Sequence, residues 1–381
     1  MPWKEVTKMS SKIDFIRFAQ EETQSFNQLC QRFKISCKTG YKWLKRFKEK
    51  GEAGLTESSR RPISSPLRTD KELENKIIQI RQKKPSWGGR KIRAWLLNHG
   101  GKNIPASSTI TDILHRYGYI KEEESKKHTA FKRFEHEAPN DLWQVDFKGH
   151  FAMQRGRCHP LTLLDDHSRF SIGLRACLDE SGKTIKPEFI RVFEEYGMPW
   201  RINFDNGSPW AAGTQGRYTS FSIWLMRLGI RVSFSKPRHP QTNGKDERFH
   251  RTLKTELLQY HTFKHFKEAQ KYFDEWRMEY NFERPHESLD MKPPISRYRM
   301  SERNYPGKLP EIEYRQNDEI RKVNIAGNIS YKNEKIFIGE GFNGLPVGIR
   351  ESEDGEYKIY FCHQKILSVN LRSGEKLKRY G

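Results

Sequence analysis

The sequence predicts a multidomain chain, with all-α modules first, an α/β region in the middle and a small β-barrel last. Three observations support that order. Apolar residues recur at helical spacing up to about residue 120, short alternating runs bounded by turn residues begin at Leu142, and brief strands with glycine turns fill 320–375. With a usual domain of about 100–200 residues, a chain of 381 should hold two to four domains. A hydrophobic content of 35% suits several small cores better than one large one.

Residues 1–52 are expected to form the first module. Ile13, Phe15, Ile16 and Phe18 mark one helix, and Phe26, Leu29, Cys30 and Phe33 a second. After the turn Lys34-Ile35-Ser36, Ser36 is placed to cap a third. Two short helices joined by three or four residues make a helix-turn-helix pattern. On the third helix Lys38, Thr39, Lys42, Lys45 and Arg46 are candidate DNA contacts, while Trp43, Leu44 and Phe47 face the core. A helical bundle with a solvated basic face is the competing reading. Residues 53–69, broken by Gly54, Pro62 and Pro66, read as a linker. Its Arg60 and Arg61 resemble a basic arm of the kind that enters a minor groove, or else belong to a solvated tether.

Residues 70–120 repeat the theme. Leu73, Ile77, Ile78 and Ile80 begin a helix, Pro85 to Ile92 opens the next, and Ser107 caps a third holding Ile110, Ile113 and Leu114. Arg90, Lys91, Ser108, Thr109 and Arg116 are the candidate DNA contacts of this second module. Residues 121–139 are a highly charged, glycine-free connector.

Within 140–300, three carboxylates each stand in a separate string. Asp146 lies in Trp143-Gln144-Val145-Asp146-Phe147, Asp205 in Asn203-Phe204-Asp205-Asn206-Gly207, and Glu247 in Asn243-Gly244-Lys245-Asp246-Glu247-Arg248-Phe249. The first two are expected at strand ends, where open α/β sheets place ligands. The third should lie on a helix of roughly 245–260, with Glu247, Arg251 and Lys254 on one face and Phe249, Leu253 and Leu257 on another. Hard oxygen ligands of this kind suit Mg²⁺ or Mn²⁺. Two such ions about 4 Å apart activate an attacking oxygen and stabilise the leaving oxygen of a phosphodiester. Asp165 and Asp166 read instead as residues that shape a turn between strands.

Five segments in order carry a resemblance. They are Leu142 to Phe147, Phe204 to Gly207, Pro240 to Gly244 followed by Glu247 to Lys254, Tyr280-Asn281, and Arg284-Pro285-His286. From about Asn140 to Tyr298 the chain resembles the integrase core of bacterial insertion-sequence transposases, the group nearest to retroviral integrases. The resemblance implies an RNase H-like fold with a mixed five-stranded sheet. It also implies that Asp146, Asp205 and Glu247 are the catalytic, metal-binding triad of a DDE transposase, holding two Mg²⁺ ions, with Mn²⁺ able to substitute. The gap between Asp205 and Glu247 is longer than is usual in that family, and Ser208 to Arg217 is read as a loop-like insertion.

The net charge of +22 is unevenly spread: residues 1–140 hold 30 basic against 16 acidic residues, +14, ahead of the core. Such an excess favours a polyanion. Residues 301–319 read as a second linker and 320–381 as the barrel, whose near-neutral charge suits protein contacts as well as DNA. The longest apolar runs span only a few residues, so no membrane segment is expected. The N-terminus lacks a signal-like stretch, and five scattered cysteines form no Cys-x-x-Cys pair. Both features suit a cytoplasmic protein.

The expected function is that of a transposase binding the terminal inverted repeats of a mobile element and catalysing 3′-end cleavage and strand transfer into target DNA. The partners are double-stranded DNA and further copies of the chain, as a dimer or larger. The alternative is a catalytically silent DNA-binding regulator. An RNase H-type nuclease would leave two site-reading modules unexplained.

Overall fold

Three helices form where helical spacing places them: α1 (Lys8–Gln20), α2 (Phe26–Arg32) and α3 (Cys37–Lys50). The computed structural model describes residues 8–21, 24–57, 69–120, 135–211, 218–235, 244–352 and 355–371. The chain divides into two units, 1–68 and 69–381. In the first, Ser36 caps α3 by accepting from the Thr39 amide at 3.3 Å. Phe15, Ile16, Leu29, Cys30 and Trp43 form the core. Gly40 is required at the crossing, since a Cβ there would lie 2.8 Å from Cys30 Sγ and 2.9 Å from Phe15.

The expected break at residue 53 is corrected. Gly51–Leu55 is a 3₁₀ turn that folds back, and Leu55 is fully buried against Trp43 and its neighbours. The small core needs this extra side chain, so the module runs past residue 52. Arg60 and Arg61 lie outside the described residues, as does most of the charged connector.

The second unit opens with α4 (Lys71–Lys83), α5 (Gly89–Asn98) and α6 (Ser107–Arg116), packed around Ile77, Trp87, Ile92, Ile110 and Leu114. Ser107 is not the cap: Ala106 holds that position without a side-chain hydrogen bond, and Ser107 is the first helical residue. Its carbonyl faces α5 so closely that a Cβ on Gly89 would sit 2.4 Å away.

The sheet of the core is built from β1 (Trp143–Phe147), β3 (Arg157–Asp165), β4 (Ser171–Cys177), β5 (Arg201–Phe204) and β6 (Arg231–Phe234), with the short β2 (Phe151–Ala152) on the start of β3. Strands β4, β3 and β1 are antiparallel, and β1, β5 and β6 parallel, so the sheet is mixed. Because β1 is central, Gln144 is buried along with Trp143 and Val145; the strand is covered on both faces rather than one. Side-chain alternation divides the core. Leu163 joins Trp143, Val145 and Ile202 under α7 (Gly182–Tyr196) and α8 (Ser220–Arg227), while Leu164 joins Leu174 of β4, Phe249 of α9 (Gly244–Leu253) and Phe273 and Trp276 of α10 (Phe266–Phe282).

The C-terminal region is corrected in one respect. Strands β7 (Glu319–Lys322), β10 (Pro346–Glu351), β11 (Glu356–Phe361) and β12 (Gln364–Asn370) make one antiparallel sheet, and β8 (Asn328–Tyr331) and β9 (Glu334–Phe337) a separate hairpin. The two are not joined into a closed barrel. Val323 to Ile325 form no strand, because the first strand ends at Lys322 and Ile325 is 83% exposed in a turn. The module packs on the core instead: the Gln364 side chain pairs with both backbone groups of Val232 on β6, and Phe342 meets Tyr218 edge-on. Among the described residues, no helix is long and apolar enough to cross a membrane.

Candidate active site

Parallel pairing of β1 and β5 sets Trp143 opposite Ile202 and Gln144 opposite Asn203. Continued by two residues, that register brings Asp146 level with Asp205. Beneath them Trp210 is almost fully buried, stacked on Phe204 at 4.5 Å and on Phe147 at 5.6 Å, the residues next to each aspartate. The segment read as an insertion thus begins as core: Trp210 and Ala211 are buried, and only 212–217 lie outside the described residues. An apolar floor was needed beneath two strand ends, and Trp210 fills it. Beyond β5, Asp205 Oδ1 accepts from the Gly207 amide at 3.0 Å, and Asn206 Nδ2 donates to the Ser235 carbonyl at 2.6 Å.

Glu247 arrives on α9. Phe249, Leu253 and Leu257 are buried, whereas Glu247, Arg251 and Lys254 are exposed, as helical spacing requires. The α-helix is shorter than expected, passing into a π-helical turn at Lys254–Leu258. Its first turn is anchored by Lys245 Nζ, 2.5 Å from Asp166 Oδ1. Asp165 and Asp166 do shape the turn after β3: Asp165 accepts from the Asn140 and Ser168 amides, and Asp166 from His136 N and Gln144 Nε2. His250, one turn past Glu247, is joined to Thr162 on β3 at 2.8 Å.

Burial, then the negative charge of Asp205, with Glu180 and Glu247 adding to it, pushes the Asp146 carboxyl up to about 7. Asp246 is buried, with Oδ1 lacking a partner; burial and the neighbouring Asp146 and Asp166 raise it well above the carboxylate range. Burial, then Lys148, lowers His250 to about 4, so its 4.0 Å approach to Asp146 is that of a neutral ring and not an ion pair. Among the described residues, no three His, Cys, Asp or Glu side chains form a group that could hold a metal ion. The donor set nonetheless fits a dication: hard oxygens whose mutual repulsion raises Asp146 are what a divalent ion would relieve.

The other predicted residues divide. Lys38, Lys42 and Lys45 are exposed on α3, Lys45 with Glu49 at 3.9 Å; Arg46 covers the Trp43 ring, and Thr39 takes part in the Ser36 cap. Ser108 is exposed and Thr109 half-buried. Arg116 is committed to the buried Glu74 at 2.7 Å, Arg90 approaches Glu287 at 3.6 Å, and Lys91 approaches Glu256 at 3.5 Å. Glu256 is held chiefly by Arg284, whose Nε and Nη2 donate at 2.9–3.1 Å. Asn281 has a structural place, bonded through its amide to both backbone groups of Ser171. Sequence reading missed Trp210, hidden between Ser208-Pro209 and a glycine, and His250, whose only signal was its place one turn after Glu247.

Known proteins match in the same order as these modules. Residues 11–63 match a helix-turn-helix domain, 39–114 a homeodomain-like domain, 136–240 and 228–294 the integrase core domain, and 318–377 the C-terminal domain of the IS481 family transposases. An insertion element IS476 uncharacterized 39.2 kDa protein of Xanthomonas euvesicatoria is 28% identical over 44% of this chain and 47% of its own length. The transposase for insertion sequence element IS904 of Lactococcus lactis is 30% identical over 42% of this chain and 62% of its own length. The chain spans about half the length of the curated relatives it matches. The HTLV-2 integrase catalytic core domain in complex with magnesium aligns at 17% identity over 43% of this chain and 99% of that chain, with a TM-score of 0.34. With an integrase core domain between helix-turn-helix modules and a C-terminal domain of the IS481 transposase type, the chain is similar to the bacterial insertion-sequence transposases with an integrase-like core.

Proposed function

We propose that the chain is a DDE transposase that binds the terminal inverted repeats of its element, cleaves their 3′ ends and joins them to target DNA. The observation that carries this is the setting of Asp146: level with Asp205 across two parallel strands, and raised by burial and by the charges of Asp205 and Glu247. Asp146, Asp205 and Glu247 would hold two Mg²⁺ ions, or Mn²⁺ in their place, which supply Lewis acidity at the phosphodiester. Trp210 keeps the two strand ends dry and fixed. Arg251 and Lys254, exposed on the Glu247 face of α9, would grip the terminal phosphates or bases, leaving Lys38, Lys42 and Lys45 to track the repeat. Lys91 and Arg116 fall out of the DNA-contact set, because acidic side chains of the protein already engage them. Cleavage and joining of paired ends require two or more copies on DNA.

The test is substitution of each acid by its amide. Asp146→Asn, Asp205→Asn and Glu247→Gln should each lose Mg²⁺-dependent cleavage and joining while end binding stays near wild type, since charge holds the metal and the helical modules hold the DNA. Substantial activity in any one folded variant removes that residue from the site.

A further inference from the structure

His250 has a place that the triad does not explain. Thr162 on β3 stands opposite Asp146 in the β1–β3 register and is completely buried. Its hydroxyl lies 2.9 Å from the Asp146 carbonyl oxygen and 2.8 Å from His250 Nε2. A carbonyl only accepts, so the single hydroxyl proton of Thr162 goes to Asp146, and the remaining contact requires His250 to donate through Nε2–H. Nδ1 lies 4.0 Å from Asp146 Oδ2, beyond hydrogen-bond reach. The ring therefore acts on Asp146 through the hydroxyl relay rather than through a bond to its carboxylate.

The relay also crosses elements. Asp146 is on β1, Thr162 on β3, and His250 on the helix that delivers Glu247. Sheet register already fixes Asp146 against Asp205, but no strand fixes α9 against either. We propose that His250, locked as the Nε2–H tautomer by Thr162, is a positioning residue that holds the helix-borne Glu247 in register with Asp146 for a shared divalent cation. This rests on the phosphoryl-transfer reading. Partners in the outer shell of metal sites commonly influence affinity or activity about 10–100-fold.

The test has two arms, both on the full chain. Long-range ¹H–¹⁵N spectra, with the ring assigned by its disappearance in His250→Gln, should show a proton on Nε2 in the metal-free protein; a proton on Nδ1 overturns the relay. Mn²⁺ affinity, read by electron paramagnetic resonance, should weaken about tenfold or more in His250→Ala and Thr162→Val. His250→Gln, which restores an N–H near the Nε2 position, and Thr162→Ser, which restores the hydroxyl, should recover most of that loss. If His250→Ala fails to fold, the Thr162 pair decides. Unchanged Mn²⁺ affinity in Thr162→Val, or Thr162→Ser as weak as Thr162→Val, overturns the proposal. A wild-type chain with no saturable Mn²⁺ site sinks the phosphoryl-transfer reading and this inference together. A wild-type site untouched by the relay variants sinks this inference alone.

Discussion

The two helical modules carry the same motif and deploy their positive charge in opposite ways. On α3, Lys38, Lys42 and Lys45 are exposed, and only Lys45 has a nearby acid, Glu49, on its own helix. In α4–α6, Arg116 bonds the buried Glu74, while Lys84, Arg90 and Lys91 meet Glu279, Glu287 and Glu256 of the integrase-like core. A surface ion pair is worth little, but a carboxylate with no exposure, such as Glu74, needs its partner. The excess of +14 over residues 1–140 therefore overstates what is available to a phosphate backbone. The first module offers its charge outward, and the second uses much of its own to hold itself and its seat on the core.

The seat offers the largest effect. Arg284 and Glu256 are 9% and 8% exposed, and Arg284→Ala would leave Glu256 with only the longer contacts to Lys91 and Ser86. Unfolding by denaturant should show a loss of about 3–5 kcal/mol. Burial opposes ionisation of Glu256, but the charge and hydrogen bonds of Arg284 overcome it and hold the carboxyl below its ordinary range. A depressed folded-state pKa means that the stability is present above the unfolded value near 4.5 and disappears as pH falls through the folded one. The gap between wild type and variant should accordingly close in acid. A gap of the same size at pH 7 and in acid would remove the ion pair as its cause.

Replacing Lys38, Lys42 and Lys45 together by alanine tests the other half of the comparison. Each neutralised phosphate contributes about 0.9 to the salt slope of duplex binding, so the slope should drop by about 3 with stability little changed. A slope equal to wild type would make α3 a solvated face. Arg116→Ala should do the reverse, costing about 1.5–3 kcal/mol of stability for the lost charged hydrogen bond and leaving the slope alone. A reduced slope with unchanged stability would return Arg116 to the DNA.

What was legible in the sequence follows from what local pattern encodes. Period-2 and period-3.6 spacing, together with Ser36 and the Asn206-Gly207 turn, located α1 to α3, β1, β5 and the two faces of α9. The partners of a charge are not local: nothing near Lys91 in sequence announces Glu256, 165 residues away. Trp210 failed for a related reason, since proline and glycine around it signal a loop while its burial depends on Phe147 and Phe204 from two strands. Strand pairing misled in the C-terminal module as well, because short strands with glycine turns suit an open sheet plus hairpin as well as a barrel. Asp146 and Asp205 were legible as strand ends, but their shared level came only from the β1–β5 register.

The smallest effect separates the two modules most cleanly, and it lies at Lys91. Burial, then repulsion from Arg284, lowers its ammonium to about 8, although Glu256 pulls the other way. Its side chain is 24% exposed, so the charge is poorly solvated at neutral pH. Glu256 keeps its three hydrogen bonds from Arg284 whether or not Lys91 is present. Lys91→Met should therefore keep the packing of the stem, remove a poorly solvated charge and raise stability at pH 7 by roughly 1–2 kcal/mol. The sign with pH is fixed by proton binding. Between about 8 and the ordinary value of 10.5 the unfolded chain binds more protons at this position than the folded one, so the folded state gains stability as pH rises through that window. The variant cannot share that gain, and the wild type should draw level with it or overtake it by pH 10.5. Denaturant unfolding at pH 7 and pH 10.5 reads both expectations, and the salt slope of duplex binding should stay at the wild-type value. A Lys91→Met chain that is less stable at pH 7 and binds DNA with a slope lower by about 1 would place this lysine beside Lys38 as an outward charge, and the contrast between the modules would fail.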